Sequence, residues 1–154
     1  MAKKKNMYDA YAILDHNDGA VETIIFTPDG KWCLTGGTDR CVKLWNPHKV
    51  VEERKINTTF QNLPAALQIQ TYTEGITHEI TALCCCCAAG TYSSSLSSPE
   101  TLLVASNSTL IVTDIVTTQL KRKLGQNHHT GRVNCIASTK FGEAYVTGSC
   151  KSIL

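Results

Sequence analysis

Short stretches of alternating apolar and polar residues recur along the chain, separated by turn-forming residues. Three segments contain a β-branched residue followed by alternation, at residues 19–26, 77–83 and 131–137. Further short runs follow them, at residues 32–35, 102–106 and 144–147, and then at 41–45 and 109–113. This two-residue period, without a helical period, predicts β-strands throughout. Thr27-Pro28-Asp29-Gly30 predicts a tight turn, because proline fixes φ and glycine accepts a positive φ.

The strand pattern repeats. If Val21, Ile80 and Val133 are taken as equivalent first-strand positions, they lie 59 and 53 residues apart. Each unit then contains strand, turn, strand, turn and strand, followed by an outer strand. We expect the outer strands at Val50–Lys55 and Gln119–Leu124. The sequence therefore predicts an all-β chain built from about three similar four-stranded units.

The units are longer than the roughly 40–45 residues of a common four-stranded repeat, and two segments account for the excess. Pro64 and a polar end mark residues 61–77 as an insertion, and glycine, serines and proline mark 88–100 as a loop. The predicted organisation is one domain over residues 1–154. Repeat 1 covers about 16–60, the insertion 61–77, repeat 2 about 78–124 with its loop at 88–100, and repeat 3 about 125–154.

The segment from Phe26 to Asn46 resembles a WD40 repeat. In that family a loop histidine, a strand serine or threonine, a turn aspartate and a strand tryptophan form a hydrogen-bonded set. The resemblance implies this role for Thr35, Asp39 and Trp45 in the first repeat, where Asn17 takes the histidine position. In the third repeat it implies the same role for His129 and Thr147. The second repeat is degenerate, with Thr113-Asp114 in place of Trp-Asp.

The resemblance implies an incomplete WD40 β-propeller of about three four-stranded blades. The third blade is expected to be truncated, since the sequence stops within its third strand. Propellers usually close with about 4–8 blades. Exposed sheet faces and strand edges favour association, so we expect self-association through the propeller edges.

For function, the resemblance implies a non-catalytic scaffold or adaptor for other proteins, with no cofactor. Residues 19–47 are also similar to WD-repeat scaffolds of mitogen-activated protein kinase signalling that are tied to the spliceosome. This likeness implies signalling kinases or splicing factors as partners. Since loops on a rigid sheet commonly carry binding, the candidate partner-binding residues lie in loops: Asp15, Asn17, Asp18, Thr38 and Arg40.

Composition narrows the partner classes. The formal net charge is only +2 and hydrophobic residues make up 42% of the chain. This balance favours neither nucleic acid nor a membrane as the main partner. The start of the sequence lacks the apolar stretch of a secretory signal, so we expect a cytoplasmic protein that also enters the nucleus.

Alternatives to the scaffold hypothesis remain at this point. The run Cys84–Cys87 suggests a small metal-binding or redox protein, although consecutive strand residues face opposite sides and cannot all surround one zinc ion. Free cysteines also pack as small apolar residues. The basic cluster Lys121–Lys123 suggests RNA contact, but no aromatic stacking platform accompanies it. A third alternative is a propeller fragment without autonomous function.

Overall fold

The computed structural model describes residue 14 and residues 19–51, 65–86, 101–124, 129–139 and 144–150. These residues form ten β-strands arranged in three antiparallel sheets. The described ranges contain no helix, and hence none long and apolar enough to span a membrane. The predicted all-β class is confirmed.

Sheet 1 has four strands in sequential order: β1 (Val21–Phe26), β2 (Cys33–Gly37), β3 (Val42–Val51) and β4 (Ala65–Tyr72). The predicted turn joins β1 to β2. Gly30 adopts a φ of 71° there, a conformation that glycine accepts without steric cost. The Thr27 hydroxyl donates a hydrogen bond to the Asp29 carboxylate at 2.7 Å, which fixes the turn.

Sheet 2 repeats this arrangement with β5 (Ile80–Cys86), β6 (Thr101–Ser106), β7 (Thr109–Asp114) and β8 (Leu120–Leu124). β8 confirms the outer strand predicted at Gln119–Leu124. Sheet 3 pairs β9 (Val133–Ser138) with β10 (Tyr145–Ser149), and it has two strands within the described residues. The fold is thus a series of antiparallel sheets, two of them four-stranded, consistent with incomplete WD40 propeller blades.

The outer strand of sheet 1 differs from the expectation. Val50 and Val51 form the end of β3, and residues 52–55 of the expected outer strand lie outside the described residues. β4 takes that place instead, and it lies inside the segment 61–77 that was interpreted as an insertion. Residues 65–72 alternate in character, but Pro64 and the polar end of the segment favoured a loop. Backbone pairing with β3 is a long-range contact, and this pairing makes residues 65–72 a strand.

In all three sheets the first and second strands pair in the same register. Val21 pairs with Gly37, Ile80 with Ser106, and Val133 with Ser149. In each sheet the register shifts just after this pair, as in a β-bulge. The β-branched positions that defined the repeat in the sequence are therefore structurally equivalent. The same β-bulge in three sheets is independent support for an internal repeat.

The sheets stack face to face, and their cores lie between them. Gly36 of β2 meets Ile80 of β5 so closely that an added Cβ would lie 2.7 Å from the Ile80 Cγ2 atom. The next interface buries Ala82, Ala105 and Val133 together. The main core, between sheets 1 and 2, consists of Leu34, Val42, Leu44, Tyr72, Ile80, Leu83, Leu102, Val104, Ile111 and Ile115.

Candidate functional site

A buried hydrogen bond joins β2 and β3 in sheet 1. The Trp45 indole N–H donates to the Thr35 hydroxyl at 2.8 Å, and both side chains are almost fully buried. Cys33 and Trp45 form one buried cluster, and Leu14 packs against that cluster. Burial raises the pKa of the Cys33 thiol to about 11, so this group stays protonated. A buried indole N–H needs an acceptor, and Thr35 supplies it while fixing the register of the two strands.

Asp39 organises the turn between β2 and β3. Its carboxylate accepts hydrogen bonds from the Cys41 backbone N–H at 3.3 Å and the Cys41 thiol at 2.7 Å. The Lys43 ammonium lies 3.6 Å from the same carboxylate, and both side chains are buried. A buried carboxylate needs such partners to offset its lost hydration. The contacts hold the turn in one conformation.

This turn carries two of the candidate partner-binding residues. The Thr38 hydroxyl accepts a hydrogen bond from the Ala20 backbone N–H at 2.9 Å, and the Thr38 N–H donates to the Ala20 carbonyl at 3.0 Å. Arg40 is exposed and has a φ of 61°. The other three candidates, Asp15, Asn17 and Asp18, lie outside the described residues.

Sheet 3 brings its two predicted residues together. The His129 Nε2 atom and the Thr147 hydroxyl share a hydrogen bond of 2.6 Å. His129 lies four residues before Val133, the first residue of β9. Thr147 occupies the position in sheet 3 that Thr35 occupies in sheet 1. The bond ties the loop before β9 to β10.

Sheet 2 lacks the tryptophan–threonine pair at the same register. The position of Trp45 is taken by Thr113, and the position of Thr35 by Val104. Val104 is fully buried in the main core. Thr113 donates its hydroxyl hydrogen to the Gln119 carbonyl at 2.9 Å.

Ser106 supplies a contact that the sequence did not predict. Its buried hydroxyl accepts from the His78 N–H at 3.1 Å and donates to the His78 carbonyl at 2.9 Å. Ser149 occupies the equivalent position in sheet 3 and donates to the Gly131 carbonyl at 3.0 Å. Aligning the repeats on this position, a serine in two of three copies, could have identified the contact.

Asp114 closes the turn between β7 and β8. Its carboxylate accepts hydrogen bonds from the Val116 and Thr117 backbone N–H groups, both at 2.9 Å. The Lys121 ammonium lies 2.9 Å away. Burial acts to raise the pKa of Asp114, but these three partners outweigh it, so the pKa lies below its ordinary value. Asn46 has the equivalent register in sheet 1, where its side chain accepts from the Lys49 N–H at 3.2 Å.

Polar contacts also cross between the sheets. The Tyr72 hydroxyl of β4 donates to the Ile115 carbonyl at 2.6 Å. Burial, with the nearby Asp114 carboxylate and Cys85, raises the pKa of this hydroxyl above its ordinary value. At the next interface, the Thr81 hydroxyl donates to the Val133 carbonyl. These contacts fix the orientation of neighbouring sheets.

The cysteine run is divided between two interfaces. Cys84–Cys86 lie in β5, and Cys87 lies outside the described residues. The Cys84 thiol donates to the Ser138 hydroxyl of sheet 3 at 3.2 Å, whereas Cys85 packs against the core between sheets 1 and 2. Within the described ranges, no three His, Cys, Asp or Glu side chains group closely enough to hold a metal ion.

Taken together, the polar side chains of these sheets bind backbone groups and neighbouring strands. They fix register at Trp45–Thr35 and turn conformation at Asp39 and Asp114. They leave exposed turn residues such as Arg40 on a rigid support. Chemically, the arrangement is suited to presenting a surface.

Known proteins match the first part of the chain. The sequence profile of the family "WD domain, G-beta repeat" matches residues 10–46. The WD repeat domain-containing protein 83 of Xenopus laevis is 53% identical over 36 residues, which cover 23% of this chain and 12% of that protein. The human protein of the same name is 53% identical over 34 residues, covering 22% and 11%. The matched part is thus about an eighth of these relatives' length.

Proposed function

We propose that the chain is a non-catalytic adaptor that binds other proteins through the turn between β2 and β3. WD40 repeats generally mediate protein–protein interaction, and the matched residues 10–46 include this turn. The observation that carries the proposal is the exposed Arg40 at the tip of a turn whose base is fixed by the buried Asp39 carboxylate.

Rigidity of the turn supports this function. A side chain on a fixed backbone loses less conformational entropy on binding than one on a flexible loop. Arg40 also has the chemistry of a strong interface residue, because its planar guanidinium forms paired hydrogen bonds with carboxylates. We therefore propose an acidic segment of a partner protein as the group that this turn binds.

The pathway is a further part of the proposal. We propose partners among signalling kinases or splicing factors, in the cytoplasm and nucleus. The support is the similarity of residues 19–47 to WD-repeat scaffolds of this kind, such as mitogen-activated protein kinase organizer 1. WD repeat domain-containing protein 83 shares the same type of repeat.

The test is affinity purification of the full chain with its partners quantified by mass spectrometry. Arg40→Glu should remove at least one partner that the unchanged chain retains, because it reverses the charge at the tip of the turn. Arg122→Glu, on the exposed outer strand β8, is the matched control and should leave that partner in place. Equal loss from both variants, or loss from neither, would reject the turn as the binding site.

A further inference from the structure

Apolar side chains are exposed on β1 of sheet 1 and on sheet 3, and we propose that copies of this chain associate head to tail through these two surfaces. In this contact the β1 face of one copy covers the β9–β10 face of another. The inference goes beyond the adaptor function, because it uses sheet faces and not the β2–β3 turn. It follows from two sheet interfaces that already exist within the chain.

Both internal interfaces use the same pair of positions. A β-branched residue that begins the first strand of one sheet packs against a small residue in the second strand of the preceding sheet. Ile80 packs on Gly36 in this way, and Val133 is buried with Ala105. The register makes these pairs equivalent, since Gly36 and Ala105 each directly precede the residue that pairs with an anchor position.

At each of these two positions, one residue lacks the contact with a neighbouring sheet that its equivalents make. Val21 is the equivalent of Ile80 and Val133, which are both fully buried, but it is 47% exposed. Gly148 is the equivalent of Gly36 and Ala105. Its close neighbour is the Cys135 thiol of the paired strand β9, and no residue of a following sheet packs on it among those that the structure describes. A valine over a glycine lies within the size range of the two internal pairs.

The surrounding residues show the same contrast. Leu34 and Leu103 are 0% and 1% exposed beneath the next sheet, whereas their equivalent Val146 is 73% exposed. On the other side, Leu83 is 5% exposed in the core and its equivalent Ile24 is 55% exposed. Strand β1 and sheet 3 therefore each expose apolar residues whose equivalents the internal interfaces bury, whereas Thr35 and Trp45 of sheet 1 are already buried.

The second copy is the occupant that these observations favour. One chain offers both halves of the contact, and the two internal interfaces supply the packing pattern. Because the two surfaces differ, the contact is heterologous. A dimer therefore still has one free sheet 1 surface and one free sheet 3 surface. Assembly should therefore continue past the dimer or close into a ring.

The test compares the mass in solution of four proteins, the unchanged 154-residue chain and three variants of it, by sedimentation and light scattering. The unchanged chain should exceed its monomer mass of 16.8 kDa increasingly with concentration. Val21→Lys and Val146→Lys should each weaken association by about tenfold or more, since each places a charge in an apolar interface. Val116→Lys is the matched control, because Val116 is 64% exposed in the β7–β8 turn. It should behave as the unchanged chain.

A mixing experiment identifies the head-to-tail arrangement. Val21→Lys retains an intact sheet 3 face, and Val146→Lys retains an intact sheet 1 face. An equimolar mixture should therefore form a two-chain species and no larger one. The isosteric variants Val21→Thr and Val146→Thr repeat the test if a lysine variant does not fold.

Three outcomes would overturn the proposal. They are an unchanged chain that stays monomeric over the micromolar range, a mixture that fails to associate, and a Val116→Lys variant that dissociates as readily as the other two. The Arg40→Glu variant should keep the assembled mass. This separates failure of self-association from failure of the adaptor function.

Discussion

Sheets 1 and 2 have the same backbone arrangement but stabilise it differently. Sheet 1 places the buried Trp45–Thr35 hydrogen bond between its second and third strands. Sheet 2 has Thr113 and Val104 at those positions, and Val104 packs in the main core. The same strand register is thus compatible with a polar pair or with apolar packing. The polar set recognisable in the sequence identifies the fold, but it is not required in every sheet.

The largest test of this contrast is Trp45→Ala. Removing a fully buried tryptophan should lower the free energy of unfolding by about 3–5 kcal/mol. Thr113→Ala at the equivalent position loses a single hydrogen bond to Gln119 and should cost about 0.5–1.5 kcal/mol. Urea unfolding followed by circular dichroism measures both. Equal costs would mean that the indole contributes no more to sheet 1 than the threonine does to sheet 2.

A reciprocal exchange tests the polar pair itself. Thr35→Val keeps the side-chain shape but leaves the buried Trp45 N–H without this acceptor, at a cost of about 1–3 kcal/mol. Val104→Thr places a hydroxyl in the apolar core of sheet 2 and should cost about 1–3 kcal/mol as well. Urea unfolding of both variants is the measurement. A neutral Thr35→Val would show that shape alone, and not the hydrogen bond, matters in sheet 1.

Sequence patterns predicted the local features of the fold and missed those that depend on distant pairing. The anchors Val21, Ile80 and Val133 were identifiable because a β-branched residue begins each alternating run. Strand β4 was missed because its identity depends on pairing with β3 across residues 52–64. The Ser106 contact was missed for a related reason. Its partner is the backbone of His78, 28 residues away in the sequence, so only an alignment of the repeats on Ser106 and Ser149 could have pointed to it.

Packing between the sheets offers a smaller contrast. Gly36→Ala adds a Cβ 2.7 Å from Ile80, whereas Ala105 already carries one beneath the smaller Val133. Overpacking destabilises the folded protein by about 1–3 kcal/mol. Alanine also lowers the conformational entropy of the unfolded chain, which offsets part of that cost. The net destabilisation should be about 1–2 kcal/mol. Adding Ile80→Ala, which removes the Cγ2 methyl that the new Cβ would meet, should relieve part of this cost, as measured by a double-mutant cycle. Additive effects would contradict the size complementarity.

The smallest effect concerns the turn after the third strand, where sheet 1 has Asn46 and sheet 2 has Asp114. The pKa of Asp114 is lower in the folded protein than its ordinary value, because its hydrogen bonds and Lys121 outweigh burial. Its contribution to stability is therefore present above the unfolded pKa of about 3.9 and is lost as the pH falls through the folded pKa. Asp114→Asn gives sheet 2 the amide found in sheet 1.

The variant should be less stable than the unchanged chain by about 0.5–1 kcal/mol at neutral pH, since the amide still accepts hydrogen bonds and Lys121 is partly exposed. The difference should shrink on acidification, because the carboxyl of the unchanged chain then becomes neutral as well. Unfolding curves at pH 7 and at about pH 3 measure both values. A difference that stays constant with pH would show that the charge of Asp114 does not stabilise this turn.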